Sequence, residues 1–351
     1  MSPVHIIINN KKGENMKNLK KVGLTALAGS LVAFSANAVE MSVTGTAEVT
    51  YTTTNGTNAN TGNPWGSNTS LSFSGSGDVG FGTATIVRTL NDGIASALSA
   101  YQTLDMGDMG TLSFDSIGGG LEGTTAHDDL LPTAYEEVWT GISGTGVIGA
   151  ASKDTIGYRN TFAGLTVSLA RTGGANEAGT AGADADSGTG DGGNDGEGST
   201  YKQSDWHLSY AVPYLDGLTV SYGESTKDWS ANDANDDTSS VGHILYSTGP
   251  VSVGYRHAEF HDGTGASNGI NVEAYAIAFN VSDEMKVSFA TQDREYDVPS
   301  GTNVTETSDA VNASYTMGAM SVRGTFSESK DTAGQSGDND EHMEISLVLS
   351  F

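Results

Sequence analysis

The last nine residues, 343–351, read MEISLVLSF and describe one extended strand. Met343, Ile345, Leu347, Leu349 and Phe351 fall on one of its faces, and Glu344, Ser346 and Ser350 on the other. No turn or cap follows this apolar row, which on a soluble sheet edge invites aggregation. A closed barrel in lipid resolves the difficulty. There the final strand pairs with the first, the apolar row meets hydrocarbon, and the terminal ring sits at the membrane-water boundary.

The other end of the chain agrees with export. From Met16 the sequence MKNLKKVGLTALAGSLVAFSANA places Lys17, Lys20 and Lys21 before an apolar stretch over 22–34, followed by Ala36-Asn37-Ala38. This is the pattern of a secretory signal peptide over 16–38, so the mature chain is expected to begin at Val39. Residues 1–15 read as an upstream extension outside the fold, and 39–351 as a single domain.

The chain has no cysteine, so no disulfide holds an exported fold together. No apolar segment beyond 38 reaches the roughly 18 residues that a spanning helix needs, which leaves a β-barrel as the only spanning structure. Residues 1–38 hold five Lys and one Glu of the chain's 16 Lys plus Arg and 43 Asp plus Glu, leaving a net charge near -31 beyond them. A surface so acidic repels nucleic acid and favours cations. Its acids cluster between alternating segments, which places them in loops of a folded scaffold and not in a disordered chain.

Period-2 alternation predicts sixteen strands, near 41–53, 68–77, 80–90, 94–104, 110–115, 154–162, 164–172, 203–212, 217–226, 240–248, 250–260, 270–281, 284–295, 307–316, 318–329 and 340–351. Tight turns such as Ala163-Gly164 and Gly249-Pro250 alternate with long polar loops such as 173–202 and 330–339. The expected fold is therefore all-β: a closed antiparallel transmembrane barrel with short turns on the periplasmic side and long loops outside. One face of each strand is apolar and the other is small, polar or charged, as in Val287 and Phe289 against Lys286 and Ser288. About sixteen strands leave an aqueous channel, whereas about eight fill their interior with side chains.

One loop differs from the rest. Residues 116–153 form a connection too long to be without a role, and it contains HDDLLPTAYEEVW. His127, Asp128 and Asp129 favour the start of a short helix, with Leu130, Leu131, Tyr135, Val138 and Trp139 on its apolar side. A loop with so much apolar surface is expected to fold into the lumen against the wall.

The runs ALSAYQTLDMGDMGTLSFDS, SLSFSGSGDVGFGTATIV and TIGYRNTFAGLTVSLART, with the closing SLVLSF, resemble the general diffusion porins of Gram-negative bacteria. The resemblance spans the mature chain as pattern more than as identity. It implies an outer-membrane location, a homotrimer, lipid and lipopolysaccharide around the barrel, and barrel-insertion machinery that reads the C-terminal strand. It also implies a constriction made by the inward loop, with Asp115, Glu122, Asp128, Asp129, Glu136 and Glu137 as acidic candidates. The matching basic wall is drawn from Arg88, Arg159, Arg294 and Arg323, with Arg256 and Lys286 also on strands. These are spread around the barrel, whereas the family concentrates its ladder on a few strands.

The implied function is a non-enzymatic, water-filled channel for passive diffusion of small hydrophilic solutes and ions, preferring cations because acidic charge is focused on a narrow passage. The alternatives are a substrate-specific outer-membrane channel and an exported soluble β-rich adhesin. The G-x-G-x-x-G matches at Gly75 and Gly144 open no helix of a βαβ unit, and no catalytic constellation or cofactor is expected. The acidic run with Asp184, Asp186, Asp191 and Asp195 is a weak candidate for Ca²⁺ or Mg²⁺ on an extracellular loop.

Overall fold

The computed structural model describes residues 40–56, 59, 62–92, 97–115, 127–144, 146–148, 155–172, 201–229, 236–263, 269–297 and 301–351. The expected leader, the extension before it, Glu122 and the acidic run from Asp184 to Asp195 lie outside them. Among the described residues the strands are β1 (Glu40–Gly56), β2 (Trp65–Asp78), β3 (Thr83–Asn91), β4 (Ala97–Asp105), β5 (Thr111–Asp115), β6 (Thr155–Phe162), β7 (Leu165–Thr172) and β8 (Tyr201–Ala211). They continue as β9 (Leu218–Trp229), β10 (Asp237–Thr248), β11 (Val251–His261), β12 (Ile270–Asn280), β13 (Met285–Tyr296), β14 (Val304–Met317), β15 (Met320–Lys330) and β16 (Asn339–Ser350). Each pairs antiparallel with its sequence neighbours and β16 closes on β1, so one sheet makes the whole barrel.

The closing seam is the strand with which the sequence ends. β1 pairs with β16 from Thr46 opposite Ser350 to Gly56 opposite Asp340. Beyond Ser350 the Phe351 and Gly45 backbones exchange N–H to O bonds of 3.0 and 2.8 Å. The Phe351 ring lies over Gly45, where a Cβ would stand 2.5 Å from the ring. A row that would be an unpaired edge is therefore fully hydrogen-bonded, as a lipid-spanning sheet requires.

Cross-strand register sorts the side chains. The outward rows carry Val287 and Phe289 on β13, Ile277 and Phe279 on β12, and Ile345, Leu347 and Leu349 on β16, all exposed except the partly buried Val287. On several strands an acid ends the apolar row toward the long-loop rim: Glu259, Glu273, Asp293, Asp309, Glu328 and Glu341. A soluble adhesin would bury these apolar faces between two sheets. Here the sheet closes on itself and the faces stay outside.

The inward rows of β1 to β3 are lined with hydroxyls. Ser42 meets Ser74 at 2.6 Å, Thr46 meets Ser70 at 2.8 Å, and Thr89 donates to Ser72 at 3.1 Å. Such pairs each contribute roughly 0.2–1 kcal/mol and leave space in the lumen. Short turns alternate with longer connections around the barrel except at β3–β4, and both ends of the sheet lie on the short-turn rim. At the two-residue turn between β6 and β7 both Ala163 and Gly164 have positive φ, the twist of a type I′ hairpin.

Candidate pore constriction

The inner wall changes character at β12. In INVEAYAIAFN the inward positions are Val272, Ala274, Ala276 and Ala278, and the neighbouring strands add Ala290 and Ala310. All are buried, because the long loop lies on them. Leu131, Val138 and Trp139 of the loop pack into the alanine wall, and Val147 packs against Val241, Ala258 and Val272. Burying such side chains contributes about 1.5–3 kcal/mol each. Contact is also close at Gly254, where a Cβ would stand 2.6 Å from Pro132 and 2.9 Å from Leu131.

Polar contacts set the loop's register. The backbone N–H of Ala134 donates to Ser288 Oγ at 2.8 Å, that of Glu136 to Asn312 Oδ1 at 3.2 Å, and that of Ile148 to Ser239 Oγ at 3.1 Å. Tyr135 donates its hydroxyl to Glu344, and Arg294 donates to Ser143 Oγ at 3.2 Å. These bonds explain a departure from expectation. Over 127–144 the loop forms bends and turns, not a short helix. Pro132 removes one N–H and disfavours a helical residue before it, and the donors at 134 and 136 go to the wall instead of to an i−4 carbonyl.

Arg256, at 0% exposure, is the anchor beneath the loop. Its Nε donates to the Asp128 carbonyl at 2.9 Å and its guanidinium lies 5.0 Å from the Trp139 ring centre. The Asp129 and Glu137 side chains lie in the same neighbourhood. Burial, and then the adjacent Asp129 carboxylate, hold the Glu137 carboxyl well above the usual carboxylate range. A raised carboxyl pKa means that loop docking is favoured in full below the free-carboxyl value of about 4.3 and is lost progressively as pH rises through the folded value. Glu137→Gln is therefore expected to slow hydrogen exchange at the loop amides at pH 8, with little change at pH 4.

The structure distributes the expected site residues as follows. Asp128, Asp129, Glu136 and Glu137 lie together on the loop. Asp115 is inward at the end of β5 but only 1% exposed, so its carboxylate is enclosed by the wall. Arg159, Arg294 and Arg323 are inward. Arg159 Nη2 bonds His127 Nε2 at 3.2 Å, Arg294 stacks 5.0 Å from Tyr296, and Arg323 pairs with Glu48 at 2.8 Å beneath Tyr135 at 4.4 Å.

Arg88 is a correction. It pairs opposite Phe73 and lies between Ile86 and Leu90 on the outward row, so it takes no part in the constriction. In TATIVRTLN apolar residues occupy both faces, and the hydroxyl row decides between them: Thr85 and Thr89 meet Ser76 and Ser72 inside. The sequence expectation had Arg256 among the basic residues on strands but not as an anchor of the loop, although the alanines at alternate positions of β12 mark the docking wall beside it. The stack of His127 on His207, with ring centres 4.2 Å apart, carried no signal in the sequence, because the two lie on separate elements.

No family model matches the chain, and no curated relative is similar to it. Solved structures are. The anion-selective porin from Comamonas acidovorans shares 14% identity over 89% of this chain and 100% of its own, with a TM-score of 0.63. OmpF of Salmonella typhi, in complex with daunomycin, shares 11% identity over 89% of this chain and 97% of its own at a TM-score of 0.62. The trimer form of OmpT, an outer membrane protein of Vibrio cholerae, shares 13% identity over 90% of this chain and 100% of its own at 0.61. At such identities the likeness is one of fold. The chain has the closed sixteen-stranded antiparallel barrel of the porins.

Proposed function

We propose that this chain is an outer-membrane porin of a Gram-negative bacterium, a water-filled channel for passive diffusion of small hydrophilic solutes and ions with a preference for cations. The observation that carries this reading is the imbalance of free charge in the lumen. Arg256 is buried under the loop, Arg323 is paired with Glu48, and Arg159 and Arg294 are engaged by His127, Ser143 and Tyr296. Lys227 and Lys286 lie toward the two rims. The loop meanwhile presents Asp129 exposed and Glu136 partly exposed, toward a lumen whose β1 to β3 wall is serine and threonine. A passage of this kind concentrates cations. A porin of the same fold is named as anion-selective, so the cation preference proposed here rests on this chain's side chains and not on its barrel.

A substrate-specific channel would need a row of aromatic or basic groups open to the passage, whereas the aromatics of this loop are engaged by the wall. Liposome swelling with neutral sugars of graded size tests the reading: uptake that falls smoothly with size supports a diffusion pore. Uptake of one sugar to the exclusion of others of equal size overturns it.

Arg88 supports assembly as a homotrimer, the form in which one structural neighbour was solved. It is the sixth residue of a nine-residue strand, on the outward face between Ile86 and Leu90. An arginine facing lipid near mid-height costs about 2–4 kcal/mol, a cost removed where a neighbouring copy covers it. Arg88→Glu is expected to shift the protein from trimer toward monomer in detergent, read by light scattering; an unchanged trimer would contradict this placement.

A further inference from the structure

The wall beneath the loop has an apolar side and a polar side. On β12 to β14 it is largely alanine, covered by Leu131, Val138 and Trp139. On β13 to β16 four successive inward rows step down the sheet: Gln292 with Ser308, then Ser327 with His342, then Asn312 with Thr325, then Arg323 with Ser346. The loop covers this side as well. Ser327 donates to the Thr140 carbonyl at 3.5 Å, and Gly141, with positive φ, lies on the His342 ring.

These side chains are enclosed without being satisfied. Gln292 is 0% exposed, Asn312 1%, and Thr325 and His342 each 5%. Among the described residues, no hydrogen bond reaches either amide atom of Gln292, the Asn312 Nδ2, the Thr325 Oγ1 or either ring nitrogen of His342. The same holds for the Nε of Arg294, two residues along β13 from Gln292, and for that of Arg323 at the foot of the rows. Both arginines are only partly buried, so the two ends of the series open on the lumen.

A dry polar group of this kind is destabilising, and the adjacent positions show that alanine fits this wall. Water resolves the conflict. Inward rows lie two residues, or about 6.8 Å, apart, and two hydrogen bonds of about 2.8 Å span most of that distance. One water can therefore join each row to the next and find the two to four polar partners that a buried water takes.

We propose that a continuous file of water runs behind the constriction loop, from Arg294 through Gln292, His342 and the Asn312–Thr325 pair to Arg323, and carries water past the constriction without ions. The loop backbone is held 2.8 Å from Ser288 and 3.2 Å from Asn312, so the gap beside these contacts admits water and no hydrated ion. A guanidinium at each end adds positive charge where a cation would enter. The inference rests on the pore reading above for the membrane around the barrel.

The chain has no cysteine, so Asp129→Cys places a single thiol on the exposed face of the loop, and a bulky polyethylene-glycol maleimide attached there obstructs the main passage. In proteoliposomes the labelled protein is expected to lose ion conductance while osmotic water flow, read by stopped-flow light scattering, persists at a reduced rate. Adding Gln292→Leu and Thr325→Val removes polar atoms that bond nothing else in the protein, so no loop contact is lost. The remaining flow should then fall about tenfold, the order of effect of one lost hydrogen bond. In detergent, where no conduction is required, the Gln292 side-chain amide of the unmodified protein should exchange magnetisation with water. The file is overturned if labelling abolishes water flow together with conductance, if the two substitutions leave the remaining flow unchanged, or if the Gln292 amide shows no contact with water. Water contact at Gln292 in a protein that never conducts ions supports the buried water and contradicts the pore.

Discussion

Arg256→Met should release the inward loop while leaving the barrel closed. The side chain is fully buried, donates to the Asp128 carbonyl, lies on the Trp139 ring, and interacts electrostatically with Asp128, Asp129 and Glu137. Removing one partner from a buried charged group costs about 3–5 kcal/mol, most of it because the opposing carboxylates lose their counter-charge. Methionine keeps much of the volume, so the loss is electrostatic and not a cavity. Loop amides over 128–140 are expected to exchange at least about a hundredfold faster, while β1–β16 amides keep their protection. Arg256→Lys should fall between the two, since it retains the charge and loses the planar fork that meets carbonyl and ring together. If Arg256→Met leaves loop exchange unchanged, the guanidinium is not the anchor.

Trp139→Ala has the second largest expected effect. Trp139 is 7% exposed and fills the space over Ala274, Ala276, Ala290 and Ala310, so its removal opens a cavity that the alanine wall cannot close. Truncating a buried tryptophan costs about 3–5 kcal/mol. Arg256 loses its aromatic face in the same variant, so this substitution and Arg256→Met should not add. The single-channel record should broaden from one conductance level into several as the loop samples detached positions. One sharp level at the wild-type value would contradict the docking account.

Much of the fold was legible because lipid and water impose opposite demands on alternate residues. The inward serines of β2 and the outward row of MEISLVLSF assign their own faces, and each predicted strand overlaps an observed one. Observed strands run further than expected at the long-loop rim, as in β14, which begins at Val304 where alternation placed the start near 307. Backbone pairing continues there after the side chains have become polar on both faces. Arg88 shows the limit of local alternation: with Ile86 and Val87 both apolar, only the pairing of Thr89 with Ser72 on the next strand settles the face.

The site was less legible than the fold. The acidic loop and its inward course followed from composition, but its conformation is dictated by the wall serines and Asn312 that take its backbone donors. Arg256 matters because it lies under the loop, a contact between residues 128 apart in sequence. The nearest local signal was the alternate alanines of β12, which mark an inner wall built to receive something apolar.

The central claim is that a porin barrel with its arginines engaged and its loop carboxylates partly open conducts cations in preference to anions. The reversal potential of single channels in a planar bilayer under a tenfold potassium chloride gradient tests it most directly. Discrete conductance steps with a reversal potential displaced toward that of potassium are predicted. A displacement toward the chloride potential, or the absence of any conductance step, would contradict the account.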